Sequence, residues 1–385
     1  MYNRREFLKG LSGATAGIVF TSCGLVGPAL ASLQAGSTGQ AGGGSKRRKV
    51  MVGGRRVLTV DVHSHVLVPE VVELVKDFKE GEGFVTQLTG PAGPTAGPKY
   101  NVHNVDDRLA RMDQEGLDVQ ALGINPFWYW ADRNLAQRII QVQNEKVAEV
   151  CAAHPDRFLG LGSVALQYPE IAAAQLEEGV KKMAMRGCVI RGSVEGDDLS
   201  APKFFPFWEK AEELGTMIFI HPQGTAEIQK RLRGNGWLSN VIGAPLETTI
   251  ALTHLIQEGI LDRFPNLKIC AAHGGGYLPS YSGRSDACQI AFPENCKPLK
   301  KLPSEYLKQL FFDSLVVTSE GLRHLVATVG SSQIVMGTDF PTFWNSHSVD
   351  HVLNTTSLND TEKTAILSGN AAKLLRIDLP PGKVS

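Results

Sequence analysis

Eight short apolar runs, most of them separated by amphipathic segments of helical length, constrain the fold of this chain more than any other feature. They lie near 57–62, 117–123, 158–164, 187–191, 216–220, 267–272, 311–315 and 333–338. Strands that are apolar along their whole length and alternate with helices predict a parallel sheet covered on both sides. The pattern therefore predicts an α/β protein with a (β/α)8 TIM barrel. The clearest helices are predicted over 134–153 and from about 201 to 214.

Titratable residues stand at the ends of four of these runs. His63 and His65 end the first run at positions i and i+2, and on a strand this spacing points both imidazoles to one face. His221, His273 and Asp339 end the fifth, sixth and eighth runs. Because barrel enzymes carry their chemistry at the C-terminal ends of the strands, these five residues together predict a catalytic metal site.

An open doubly wound sheet is the alternative fold. Such a sheet is expected to carry a glycine-rich phosphate loop after its first strand, where this chain has the sequence DVHSH at 61–65. Three glycines do follow His273, at 274–276, but they lack the spacing of a nucleotide-binding loop. They are expected instead to let the backbone approach the site closely.

The first 35 residues predict an export signal. Residues 3–9 resemble the twin-arginine consensus, and the weakly apolar stretch 11–20 after them is too short for an ordinary membrane span. The sequence ALA at 29–31 fits a peptidase site and a periplasmic product. Residues 20–23 resemble a lipoprotein box, and only lipidation of Cys23 would attach the protein to a membrane.

The remaining chain divides into three parts. Residues 36–56 contain a Gly/Ser stretch and a basic run, and they are predicted to form a flexible linker. The barrel domain is predicted over 57–376 and a C-terminal tail over 377–385. Lysine plus arginine and aspartate plus glutamate number 39 each, so no overall charge attracts nucleic acid.

The motifs at the strand ends resemble those of the amidohydrolase superfamily. The resemblance is to the branch of aminocarboxymuconate-semialdehyde decarboxylase and the hydroxybenzoate-type decarboxylases, and it covers about 57–376. It is densest in FIHP at 219–222, PLETT at 245–249, FPNLKI at 264–269, AHGGG at 272–276 and GTDFP at 337–341. The resemblance implies the barrel fold and a metal-dependent reaction. These motifs are specific for the branch and not for a substrate.

The resemblance also implies roles for the strand-end residues. His63, His65, His221 and Asp339 would bind a divalent metal, with zinc as the default and manganese as the alternative. His273 would be the general acid/base, and Asp339 would also carry protons. Binuclear members of the superfamily have a carboxylated lysine at the fourth strand. This chain has none there, so a single metal is expected.

Four further residues concern the substrate. Arg191 either binds an anion or forms a salt bridge at the barrel rim. Gln223 stands where the resembled decarboxylases usually carry tryptophan. Arg284, eleven residues after His273, matches an arginine that reaches the substrate carboxylate of the neighbouring subunit, which implies a homodimer. Trp128 belongs to an aromatic run at 127–130 that either walls the pocket or packs a helix against a loop.

Two reactions suit the predicted site. The first is the metal-dependent, non-oxidative decarboxylation of an aromatic or unsaturated carboxylic acid, and the second is the hydrolysis of a lactone, ester or amide by the same residues. The branch motifs favour decarboxylation. A binding protein that had lost catalysis would be expected to lack ligand residues, and no predicted ligand is missing from the sequence.

Overall fold

The computed structural model describes residues 47–92, 96–342 and 347–378. The predicted export signal lies outside the described residues, together with most of the predicted linker and all but two residues of the predicted tail. Among the helices of the described residues, none is both long and apolar enough to cross a membrane.

Eight parallel strands form the barrel, and each one overlaps a predicted apolar run. They are β1 Val60–His65, β2 Val119–Gly123, β3 Phe158–Gly160, β4 Gly187–Ile190, β5 Met217–Ile220, β6 Lys268–Ala271, β7 Phe311–Asp313 and β8 Ile334–Val335. Nearly all of their residues are buried, as expected for strands that are covered on both faces. The predicted α/β barrel is confirmed.

Hydrogen bonds close these strands into a ring. β1 to β3 pair side by side as one parallel sheet, and β4 to β8 pair in the same way as a second. Gly162, just after β3, bridges to Cys188 in β4, and Phe340, beyond β8, bridges to Ser64 in β1. Since both sheets are joined at both edges, no strand of the described barrel presents an open edge.

One main helix follows each strand. These helices are α1 Val105–Glu115, α2 Arg133–Ala153, α3 Pro169–Lys182, α4 Phe205–Leu214, α5 Ala244–Gln257, α6 Leu278–Ala291, α7 Ser319–Val329 and α8 Asn370–Leu375. Further α-helices span Val72–Val75, Glu82–Thr89, Ala226–Arg231, Ile260–Arg263, Ser348–Asn354 and Asp360–Thr364, and two π-helical segments span Ser239–Gly243 and Ala365–Gly369. The 3-10 segments are Pro69–Val71, Lys79–Gly81, Pro98–Tyr100, Pro202–Phe204, His273–Gly275, Pro293–Asn295, Pro303–Gln309 and Ser331–Gln333.

The helix α2 illustrates why these elements form where they do. Asp132 caps its first turn by accepting a hydrogen bond from the Leu135 amide at 2.9 Å. Ile139, Ile140 and Val147 recur at helical spacing and are buried against the barrel. The helix therefore buries the face that its apolar periodicity predicted.

The fold begins within the predicted linker, so the predicted boundary at residue 57 is corrected. Met51–Val52 and Arg55–Arg56 form a short antiparallel hairpin. Arg56 donates to both carboxylate oxygens of Asp118, at 2.6 and 2.8 Å, and Arg48 donates to Asp350 at 3.0 Å. The sequence predicts a solvated linker for these basic residues because their acidic partners lie in distant parts of the chain.

Candidate metal centre

Four predicted ligands converge at the C-terminal end of the barrel. His63 and His65 lie in β1, His221 directly follows β5, and Asp339 follows β8. Their candidate ligand atoms lie within 4.8 Å of one another, and all four residues are buried. The nearest pair is His65 Nε2 and Asp339 Oδ1, at 2.7 Å. Ligands bound at about 2.1 Å around one ion lie roughly 3–4 Å apart, so a small adjustment would bring all four into range.

His221 supplies the test of whether a cation fits. Both of its ring nitrogens are buried, and neither has a hydrogen-bond partner among the residues that the structure describes. The Nδ1 atom of His65 is likewise buried without a hydrogen-bond partner among the described residues. Buried polar atoms without partners are costly, and a cation held by these rings would offset that cost. Three imidazoles and one carboxylate suit Zn²⁺ or Mn²⁺, so the residues fit a single divalent metal.

The electrostatics of the cluster favour a cation. Burial lowers the pKa of His65, and it lowers the pKa of His221 well below the ordinary value. Burial alone would raise the pKa of Asp339, but the neighbouring imidazoles, with His273 contributing most, hold it well below its ordinary range. Neutral imidazoles at His65 and His221 beside an ionised Asp339 are the protonation states that metal binding requires.

Asp313 orients His63, and it was not among the residues predicted from the sequence. Its Oδ2 atom accepts hydrogen bonds from His63 Nδ1 at 2.6 Å and from the His273 amide at 2.9 Å. Its Oδ1 atom accepts from the amides of Gly274 at 2.8 Å and Leu315 at 3.0 Å. Since Nδ1 of His63 donates to Asp313, the Nε2 atom of that ring is left to face the cluster.

The signal that identifies Asp313 was present in the sequence. The seventh strand was predicted to run to residue 315, which placed Asp313 inside it. β7 in fact ends at Asp313, so this carboxylate stands at a strand end like the five residues that were predicted.

We expect metal affinity to rise with pH. Burial opposes protonation of His63, but its hydrogen bonds with Asp313 and Asp339 raise its pKa to about 10. A cation at Nε2 must displace that proton, so affinity should rise about tenfold per pH unit below this pKa. Calorimetric titration with Mn²⁺ between about pH 6 and 8 measures the slope. A pH-independent affinity would contradict the expectation.

His273 lies beside the cluster, at the edge of the barrel mouth. Its Nε2 atom is 3.9 Å from Asp339 Oδ2, and the side chain is 21% exposed. The glycines that follow keep the backbone close to its neighbours, as predicted. A Cβ atom on Gly276 would lie 2.1 Å from the Pro245 carbonyl oxygen, and one on Gly275 would lie 2.6 Å from the Phe312 ring. Both glycines have positive φ, at 66° and 77°, which other residues rarely adopt.

A cavity with two lobes opens onto the cluster. The first, called the polar lobe here, has a volume of about 260 Å³, and its lining includes His65, His221, Gln223 and many other neutral polar side chains. The second, called the apolar lobe, has a volume of about 200 Å³, and its lining includes Val241, Pro245, Leu315 and Val317. His273, Asp339, Asn240 and Ala244 line both lobes. Gln223 therefore lies at the cavity, where it was predicted.

The two predicted arginines do not line the cavity within one protomer. Arg191 donates to the Gly224 carbonyl oxygen at 2.9 Å, and its guanidinium carbon lies 6.0 Å from the centre of the Tyr129 ring. It supports the loop after β5, and within one protomer it does not line either lobe. Arg284 lies exposed on α6.

Trp128 packs in the interior, which is the second of the two alternatives that the sequence left open. Its side chain is fully buried, and its indole N–H donates to the Val164 carbonyl oxygen at 3.0 Å. The neighbouring Phe127 stacks on Phe84, with 4.2 Å between ring centres. The sequence does not reveal which side of the loop these aromatic side chains occupy.

The variant Trp128→Phe should lose stability without losing specificity. Removing the indole N–H leaves the buried Val164 carbonyl oxygen without this donor, at an expected cost of about 1–3 kcal/mol in the free energy of unfolding. Urea unfolding and steady-state kinetics measure both effects. Trp237→Phe is the control, because Trp237 lines the polar lobe and is 41% exposed. An altered KM with unchanged stability in Trp128→Phe would restore the pocket role.

The chain is similar to known proteins along almost its whole described length. A family model described as Amidohydrolase matches residues 60–377. The 2-amino-3-carboxymuconate-6-semialdehyde decarboxylase of Dictyostelium discoideum is 31% identical over 336 residues, which cover 84% of this chain and 93% of that protein.

Solved structures share the fold. The 5-carboxyvanillate decarboxylase of Sphingomonas paucimobilis has a TM-score of 0.76 at 27% identity, and the match covers 84% of this chain and 100% of that one. A 5-carboxyvanillate decarboxylase of Novosphingobium aromaticivorans with bound manganese has a TM-score of 0.74 at 22% identity, covering 83% of this chain and 97% of that one. The second likeness shows the fold alone. The resemblance predicted from the strand-end motifs is confirmed.

Proposed function

The chain belongs to the amidohydrolase family and is similar to its carboxy-lyases, and we propose that it is a metal-dependent, non-oxidative decarboxylase of an aromatic carboxylic acid. The observation that carries the proposal is the cluster itself. Three buried imidazoles and one buried carboxylate converge beside His273 at the mouth of a cavity. The similarity to decarboxylases selects this reaction from those that such a cluster could support.

Each residue of the cluster has a part in the proposed reaction. When bound, the cation supplies Lewis-acid stabilisation of the negative charge that develops as CO2 leaves. His63, His65, His221 and Asp339 hold it, and Asp313 fixes the orientation of the His63 ring. His273 lines both lobes, so it can reach a substrate in the cavity and protonate the carbon that loses CO2.

We favour Mn²⁺ over the Zn²⁺ expected from the sequence. The donor set accepts both ions, and manganese also binds readily to mixed nitrogen and oxygen ligands. The manganese named in the Novosphingobium aromaticivorans structure supports this preference.

The test is to separate release of CO2 from release of acid. Protein stripped with a chelator and reloaded with Mn²⁺ or Zn²⁺ is assayed against aromatic carboxylates and against lactones and esters. CO2 from the carboxylates alone supports the proposal, whereas acid from the lactones or esters alone supports a hydrolase. The matched control is His273→Asn, which should bind metal normally and lose turnover, because His273 is not among the four ligands.

The active form is proposed to be a homodimer in which Arg284 of one subunit reaches the cavity of the other. Three large apolar residues are exposed on or just after α6, near Arg284 in the sequence. Tyr281 is 65% exposed, Ile290 70% and Phe292 55%. Exposed apolar residues of this size are common at interfaces between subunits.

Subunit mixing tests this dimer. Arg284→Ala and His273→Asn should each be inactive alone. If sites are shared, random mixing restores one intact site in half of the dimers, and so about a quarter of the wild-type activity. Light scattering reports the mass of each species. A mixture as inactive as its components would refute the shared site.

Export by the twin-arginine route remains a proposal from residues 1–35, which lie outside the described residues. The supporting feature is the Arg4-Arg5 pair with the apolar stretch that follows it. Replacing both arginines by lysine should retain the protein in the cytoplasm, as fractionation would report. Mass spectrometry of the exported product would distinguish cleavage after Ala31 from lipidation of Cys23.

A further inference from the structure

The polar lobe is lined by neutral hydrogen-bonding groups. Tyrosine, serine, threonine, asparagine and glutamine side chains surround it, and no lysine or arginine lines either lobe in the part of the chain that the structure describes. Among the described residues that line the two lobes, Asp339 is the one with a carboxylate. The Asn125 side-chain oxygen lies on this wall, buried and without a hydrogen-bond partner among the described residues. The wall is therefore suited to hydroxyl, carbonyl or amide groups.

Two arginines, Arg108 and Arg191, lie behind the polar lobe, and each donates to the backbone carbonyl oxygen of a residue that lines it. Arg108 is buried and donates to the Gln120 side-chain oxygen and to the His65 carbonyl oxygen, both at 2.7 Å. Arg191 holds the Gly224 carbonyl oxygen at 2.9 Å. Segments 93–95 and 343–346, which the structure does not describe, contain no charged residue. In the proposed dimer, the partner's Arg284 pairs with the substrate carboxylate at the metal, as the resemblance implies.

The apolar lobe is shaped by a strained turn. The Thr318 amide donates to the Val316 carbonyl oxygen at 2.8 Å, which makes Val317 the central residue of a γ-turn. Val317 has a φ of 61°, a conformation that costs a β-branched residue about 1–3 kcal/mol. Its apolar side chain is 66% exposed and lines this lobe. Neither the strained backbone nor the exposure of the side chain favours valine at this position. An apolar contact with a ligand in the cavity would explain why valine is present.

We propose that the substrate is an aromatic monocarboxylate. Its single carboxylate lies at the metal centre, its uncharged hydrogen-bonding substituents face the polar lobe, and an alkyl or aryl substituent enters the apolar lobe beside Val317. A second carboxylate would be buried against neutral walls without a partner, and an unpaired buried charge is strongly unfavourable. This inference rests on the proposed decarboxylase function, because it assigns the carboxylate to the metal.

A matched substrate series tests the proposal. The parent is 2,6-dihydroxybenzoate, and its derivatives carry a pentyl group or a second carboxylate at ring position 3 or 4. We expect the better pentyl derivative to exceed the better carboxylate derivative in kcat/KM by at least about tenfold, after correction for spontaneous decarboxylation. A preference for either carboxylate derivative would overturn the proposal and leave the decarboxylase function intact.

Binding measurements keep the two proposals separable. Calorimetry on the Mn²⁺-loaded protein gives the affinity of each compound whether or not it reacts. Preferential binding of the pentyl derivative without CO2 release would refute the decarboxylase function and support the specificity. Equal or tighter binding of the carboxylate derivatives would refute the specificity.

Val317→Gly separates strain from substrate contact. Glycine adopts positive φ freely, so the free energy of unfolding should rise or stay constant, while the ratio of kcat/KM for the pentyl derivative to that for the parent should fall at least about fivefold. Met51→Ser removes an apolar side chain that is 48% exposed and does not line either lobe, and it should leave that ratio unchanged. Dissociation of the dimer by Val317→Gly, with an unchanged ratio, would assign Val317 to the subunit interface and overturn its role here.

Discussion

Replacing His221 by alanine will abolish stoichiometric metal binding and lower kcat/KM by about three orders of magnitude, or about 4 kcal/mol of transition-state stabilisation. Both ring nitrogens of His221 are buried without a hydrogen-bond partner among the described residues, and a metal ion would satisfy one of them. Three of four ligands then remain, and the ion is held too weakly to survive dialysis.

Metal analysis by mass spectrometry, together with turnover at saturating Mn²⁺, measures the effect. His324→Ala is the matched control, because His324 is exposed on α7 and shares a hydrogen bond of 3.1 Å with Ser280. Retention of one tightly bound ion per subunit in His221→Ala would remove His221 from the ligand set. Loss of metal from both variants would show that the effect is not specific to the cluster.

The variant Asp313→Asn will lower metal affinity by about 10–100-fold and destabilise the protein by about 2–3 kcal/mol. One carboxylate oxygen accepts from His63 Nδ1 and the other accepts from the amides of Gly274 and Leu315. A carboxamide has one accepting oxygen, so either orientation of the new side chain sets its NH2 group against a donor. The His63 ring then loses the partner that fixes its orientation, or the loop that carries His273 loses its anchors.

Calorimetry with Mn²⁺ and urea unfolding of the metal-free protein measure the two effects separately. Asp262→Asn is the control, since the Asp262 carboxylate accepts from the Tyr306 hydroxyl at 2.5 Å and the Lys300 amide at 3.0 Å, and neither donor belongs to the cluster. It should lose stability and keep its metal affinity. If Asp313→Asn keeps its metal affinity too, Asp313 supports the fold alone.

The strands and four candidate ligands were predictable because their signals are local. Each strand is an apolar run, and His63, His65, His221 and Asp339 each stand where such a run ends. Parallel strands bring these ends together at one side of the barrel, so the topology alone brings them near one another. No information about side-chain packing is needed for that step.

The features that were missed have two causes, a misplaced strand end and contacts between distant segments. Asp313 was hidden because the predicted seventh strand extended two residues too far, to 315. The direction of the Trp128 side chain depends on the Val164 carbonyl oxygen, 36 residues away, which accepts its hydrogen bond. The basic residues near 47–56 gain order from carboxylates such as Asp118 and Asp350, and nothing in the local sequence reveals these partners.

The ring closes between β8 and β1, which are the last and the first strands of the barrel to be synthesised. His65 and Asp339 are 274 residues apart in the chain, and the Asp339 amide donates to the His63 carbonyl oxygen at 2.8 Å. A growing polypeptide that has completed β7 carries all three histidines of the cluster and lacks its carboxylate. The full coordination set therefore exists only after the eighth strand has emerged and docked, and loading of the ion would mark a finished barrel.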